Sequence, residues 1–162
     1  MHLYITSARE DSLEAWRSVI PASERIEYVR SLPRAIQADA ICMSGIYALE
    51  RYGGAPRHDI AQILDNLRND GMPPMIVVPP SLPMRRTSSG TLEVIPELRT
   101  ESPAHYAVSR ALQAIDRWNE SSITRKIDTL IFDLPLLGMD DPEDRSTPKS
   151  TRKAMSEHLK FL

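Results

Sequence analysis

Apolar positions along the chain fall into short uniform runs separated by stretches where they recur every three or four residues. Leu3 to Ser7 is a β-prone run. Asp11-Ser12-Leu13-Glu14 then reads as a helix start, with Asp11 as cap and Glu14 bonding back to the cap's own N–H. The helix it opens carries Leu13, Trp16 and Ile20 on one face. Arg25 to Arg30 contains Ile26, Tyr28 and Val29, enough β-branched and aromatic content for a strand before the break at Leu32-Pro33. Ala40 to Ser44 reads as a buried strand, and Gly53-Gly54-Ala55-Pro56 as a turn. After it Ile60, Ile63, Leu64 and Leu67 recur at helical spacing until Asn69-Asp70-Gly71, which predicts a second amphipathic helix.

Met75-Ile76-Val77-Val78 is β-branched, closed by Pro79-Pro80, and suits a strand buried on both faces. Pro83 to Gly90 is expected to be an exposed loop, and Thr91 to Leu98, interrupted by Pro96, an edge strand or irregular segment. Ser102-Pro103 combines an N-cap with proline at the first helical position, and Ala107, Ala111, Ile115 and Trp118 form the stripe of the helix that follows. Thr129 to Leu134 is another fully buried strand. Thr147-Pro148 opens a last helix with Met155, Leu159 and Leu162 inward. Strands too uniform to have a solvated face, alternating with helices, predict one α/β domain over residues 1–162: three layers, α/β/α, around a mixed, mostly parallel sheet. Ligands of such sheets sit beyond the strand carboxyl ends, which directs attention to the loops Ser44–Ala55, Pro79–Gly90 and Pro135–Ser146.

Composition narrows the partners. A net charge of −2 at pH 7 provides no global basic field for nucleic acid or an anionic membrane. The single cysteine, Cys42, excludes an intrachain disulfide and a multi-cysteine zinc site, and His2, His58, His105 and His158 lack ligand spacing. No metal or cofactor is therefore expected. The N-terminal apolar run is too short for a signal peptide and no later run approaches a membrane span, so a reducing, cytoplasmic setting is expected.

Ala38-Asp39-Ala40-Ile41-Cys42 followed by Gly53-Gly54, then Ile76-Val77-Val78-Pro79-Pro80, then Pro135-Leu136-Leu137-Gly138-Met139-Asp140, stand in an order and spacing that resemble the macro-domain family over nearly the whole chain. That resemblance implies a crevice for ADP-ribose or a related nucleotide, and in some members hydrolysis of ADP-ribosyl esters or phosphates. The candidate ligand-binding set is Gly45, Gly53, Gly54, Ala55, Arg85, Arg86, Pro135, Gly138 and Met139; of these Gly53, Gly54, Pro135 and Gly138 match the family, and Arg85 and Arg86 join because they follow the Met75–Val78 strand into the expected crevice. Several family side chains are replaced. The aspartate that holds adenine corresponds to Leu32, and the two asparagines that orient the distal ribose correspond to Met43 and Ile46. The Thr and Gly of the second phosphate loop become Met139 and Asp140. Backbone-shaping glycines thus persist where side chains for adenine and ribose do not.

Other groups carry two readings each. Arg85 and Arg86, with Arg51 and Arg57, suit phosphate or carboxylate, or are solvated loop arginines. Asp140, Asp141, Glu143 and Asp144 form an acidic loop that would repel a diphosphate unless a cation intervened, and without calcium-loop spacing it reads as a solvated loop. Cys42 in an apolar strand reads as a small buried hydrophobe, and Asp59 beside His58 as a helix cap. With no Ser/His/Asp signature, Walker loop or dinucleotide fingerprint, enzymatic activity is open. Two functions follow: a binding domain for a nucleotide or ADP-ribose-like ligand, or a protein-interaction module that has lost nucleotide binding.

Overall fold

In this computed structural model the described residues are 1–55, 57, 59–80, 84–90, 92–94 and 102–162, with backbone alone for 84–86 and 92–94. In chain order the elements are β1 (His2–Thr6), α1 (Glu10–Val19), β2 (Ile26–Val29), a 3-10 turn (Pro33–Ala35), β3 (Ala40–Cys42) and α2 (Gly45–Tyr52). There follow β4 (Gln62–Asp65), β5 (Met75–Val78), β6 (Met84–Arg86), β7 (Leu92–Val94), α3 (Pro103–Ser121), β8 (Thr129–Asp133), α4 (Leu134–Leu137) and α5 (Ser146–His158).

Six strands form one sheet in the order β2-β1-β8-β3-β5-β4, parallel throughout except β4, which runs antiparallel to β5. Because successive strand residues point to opposite faces, the uniform runs feed two cores at once. Leu3, Ile5, Cys42, Val77, Leu130 and Phe132 face α1, α3 and α5, where Trp16, Ile115 and Met155 are buried against them. Ile41, Ile76, Val78 and Ile131 face the other way, onto Met43, Ala48 of α2, and partly buried Ile36, Tyr52 and Met72. The result is the three-layer α/β/α architecture with a mixed, mostly parallel sheet. No helix among the described residues is long and apolar enough to cross a membrane.

Local expectations hold where caps and periodicity agree. Ser102 caps α3, its hydroxyl accepting the His105 N–H, with Pro103 at the first turn. Elsewhere the structure differs. The predicted helix over Ile60–Leu67 is instead the edge strand β4: Leu67 is 93% exposed and Ile60 also lies outside the core, while Ile63 and Leu64 pack on opposite faces of the sheet. A four-member apolar repeat fits either period, and pairing with β5 decides it. The loop expected after β3 contains α2, whose Ile46, Tyr47 and Leu49 point outward, so it shows no apolar stripe.

Helix α1 starts at Glu10, before the expected cap. The Ser7 hydroxyl accepts the Arg9 N–H and turns the chain directly out of β1, leaving Asp11 inside the first turn. The last helix, expected to open at Thr147-Pro148, starts at Ser146, and Asp144 caps it by accepting the N–H groups of Ser146 and Thr147. Within the expected loop Pro83–Gly90, β6 pairs with β7 in a separate hairpin closed over Gly90, whose N–H donates to Thr87 O. Pro83 itself, Pro96, Pro56 and His58 lie outside the described residues.

Candidate functional site

A cleft of about 470 Å³ opens at the carboxyl ends of β3, β5 and β8. Cys42 and Phe132 form its floor, Pro79 and Pro80 one side, and Gly45, Ile46 and Leu49 of α2 another. The first two turns of α3 (Pro103, Ala104, Ala107, Val108) and the Leu137–Met139 segment close the rest. Parallel topology explains this convergence. A helix that precedes a parallel strand runs antiparallel to it, so α3 begins where the strands end, and α2 begins where β3 ends.

The Leu137–Met139 lip is held from below by buried polar bonds. The Thr6 hydroxyl donates to Asp133 at 2.6 Å, and the Ser7 hydroxyl donates to Asp140 at 2.7 Å. Ser12 donates to the Asp140 carbonyl, and the Trp16 indole N–H to the Met139 carbonyl. Burial pushes the Asp133 carboxyl above its ordinary range, opposed by hydrogen bonds from Thr6 and the Leu136 N–H and reinforced by Asp140. Asp144 bonds the first turn of α5, and Asp141 accepts the Glu143 N–H. The acidic loop is thus largely a capping device. Among the described residues no group of three or more His, Cys, Asp or Glu is placed to hold a metal ion.

The residues singled out in the sequence are only partly gathered. Gly45, Gly138 and Met139 line the cleft, whereas Gly53 and Ala55 border a small recess beside it, about 30 Å³, shared with Gly45, Leu49 and Pro79. The glycines have local reasons to be there. Gly53 ends α2 at φ 84°, and Gly54, at φ 93°, stands where a Cβ would come within 3.2 Å of Gln62 and Leu64. Pro135 sits inside α4, and the Gly138 N–H donates to the Pro135 carbonyl. The Met139 N–H is likewise used, by Leu134 O at 2.9 Å. Arg85 and Arg86 fall on β6, and their side chains lie outside the described residues.

Among the described residues, free backbone donors at the cleft include the Gly45 and Ile46 N–H groups in the first turn of α2 and the Ala104 N–H in the first turn of α3. Met43, which the resemblance aligns with a ribose-orienting asparagine, is buried in the second core beneath α2 rather than filling the cleft. Ile46 is 81% exposed at the rim. Cys42 is fully buried, and burial pushes its thiol up to about 12, so it is a protonated hydrophobe and no nucleophile. Residue-level reading missed the α3 wall. Its signal was the Ser102-Pro103 start followed by Ala107, a small residue on a helix bound to begin at the strand carboxyl ends.

Among known proteins, no family model matches this chain and no curated protein is significantly similar to it.

Proposed function

We propose that the carboxyl-end cleft binds a nucleotide or ADP-ribose-like small molecule, in a divergent macro-like domain. The observation that carries this reading is the cleft's place and make-up. It lies at the strand carboxyl ends, within the roughly 300–1,000 Å³ range of small-molecule sites, with apolar walls of Leu49, Val108, Phe132 and Met139 suited to a base. The Gly45 and Ile46 N–H groups at its rim suit a phosphate. The described lining contains no carboxylate or imidazole, which supports binding over hydrolysis.

Titration calorimetry with ADP-ribose, ADP and AMP tests it. Saturable binding is expected, weakened at least about tenfold by Ala107→Trp, which fills the cleft from α3. Gly54 is unsuited to this purpose, since any side chain there strains the backbone and meets Gln62. No heat with any of the three ligands overturns the reading. It would favour the second one, a protein-interaction module, for which the specific observation is the cluster of Ile46, Tyr47 and Leu49 exposed on α2 beside the cleft.

A further inference from the structure

A second concavity, about 630 Å³, lies on the flank of the molecule, between α3 and the edge strand β4. Arg110, Gln113, Arg117 and Trp118 of α3 form one wall, and Ala61 and Ile63 form the other. Their spacing along α3 is one helical face, and the face from residue 110 to 121 is about 16 Å long, the length of about five extended residues.

The strand wall is unsatisfied. Residues of β4 pair with β5 in the register Gln62↔Val78 through Asp65↔Met75, and the ladder continues with the Asn66 N–H donating to Pro74 O at 2.8 Å. In an antiparallel ladder hydrogen-bonded pairs alternate, so Leu64 and Gln62 share the bonded parity of Asn66. The N–H and C=O groups of Ile63 and Asp65 therefore point away from β5, and among the described residues they have no partner. An open edge beside a helix is a template for strand addition.

The helix wall sets the charge of the occupant. Asp59 pairs with Arg57 at 3.3 Å and Asp65 with Arg125 at 2.7 Å, so the two nearby carboxylates are already matched. Among the described residues Arg110 and Arg117 have no carboxylate partner; the Arg110 guanidinium instead lies over the Tyr106 ring, 4.9 Å from its centroid. They stand two turns apart, about 10 Å along the axis, within reach of same-side residues of an added strand, which are about 7 Å apart.

We propose that the α3–β4 groove binds an extended acidic peptide segment, which adds to β4 as a seventh strand and presents alternate carboxylates to Arg110 and Arg117. A second copy of this chain fits less well, because two-fold pairing through β4 would bring the unmatched arginines of both copies together.

Selection of random displayed octapeptides on the full chain tests this proposal. Enrichment of Asp or Glu at alternating positions is expected. A synthetic peptide of the selected sequence should bind the double variant Arg110→Glu/Arg117→Glu at least about tenfold more weakly, bind Ala107→Trp unchanged, and weaken with salt. Amide resonances of Ile63 and Asp65 should shift and gain exchange protection on binding. Selection without acidic enrichment, binding indifferent to the charge reversal, or unshifted edge amides overturns the proposal. So does binding of a ten-nucleotide oligothymidylate lost in the same double variant, which would assign the groove to nucleic acid. Dimerisation abolished by that variant would assign it to self-association. Both arginines project from the outer face of α3, and the Ala107→Trp arm keeps failure here distinguishable from failure of the nucleotide reading.

Discussion

The two faces of the central sheet present similar strand side chains to very different covers. On one, α1, α3 and α5 bury Trp16, Leu13, Ile115 and Met155 against Leu3, Ile5, Leu130 and Phe132. On the other, the eight-residue α2, a 3-10 turn and the loop between β4 and β5 cover Ile41, Ile76, Val78 and Ile131. The first cover is held by apolar area. The second has less area and is pinned by polar bonds: Tyr52 of α2 donates to Asp70 at 2.5 Å, and Asn66 donates to Asp70 and to the carbonyls of Met72 and Pro73. A thin layer can shield a sheet if hydrogen bonds fix its position, but its stability then depends on the protonation of the groups that make them.

Truncation should expose that difference most strongly on the thick face. Trp16→Ala is expected to cost about 3–5 kcal/mol in chemical denaturation, because Trp16 is 1% exposed and its cavity lies among three helices that cannot all close on it. A loss below about 1 kcal/mol would remove the distinction between the faces. Met43→Ala, equally buried beneath α2, should cost about 2–3 kcal/mol, at the low end for such truncations, because the shorter cover can settle into the space.

Smaller effects should mark the pinned face. Tyr52→Phe removes one donor to Asp70 and is expected to cost about 1–2 kcal/mol at neutral pH. Burial works to raise the Asp70 pKa, but hydrogen bonds from Tyr52, Asn66 and the Met72 N–H outweigh it and hold the carboxyl at about 2. Since that lies below its ordinary value of 3.8, Asp70 contributes stability that is full above 3.8 and is lost as pH falls through about 2. Asp70→Asn should flatten that part of the stability profile, measured by denaturant midpoint between pH 4 and pH 2; an unchanged slope would mean the pin is not electrostatic. Least affected should be Gln62→Ala, which unties the Gly53–Ala55 turn by removing the side-chain bonds to the Ala55 N–H and carbonyl. Both are exposed, so the loss should stay below about 1 kcal/mol.

How much was legible before folding varies along the chain for physical reasons. The strands buried on both faces were readable because their apolar runs need no context. So was α3, whose cap, proline and stripe all lie within one segment. The strand β4 was misread because the four apolar positions Ile60, Ile63, Leu64 and Leu67, of which only Ile63 and Leu64 lie in it, satisfy a helical repeat, and only β5 supplies the missing partner. The helix α2 was missed because it buries little beyond Ala48. Of the candidate site, Gly45, Gly138 and Met139 were found through the loops that follow strands, while Gly53 and Gly54 turned out to shape a turn beside the cleft.

Residue order alone therefore specified the layered α/β class and the end of the sheet where a cleft would form, since periodicity, caps and buried runs are written in neighbouring residues. The α3 wall of that cleft, the pinned cover of the second face and the open edge beside Arg110 and Arg117 came only with the tertiary structure. Each depends on which distant segments lie side by side, and a contact between residues fifty positions apart leaves no trace in either one's local pattern.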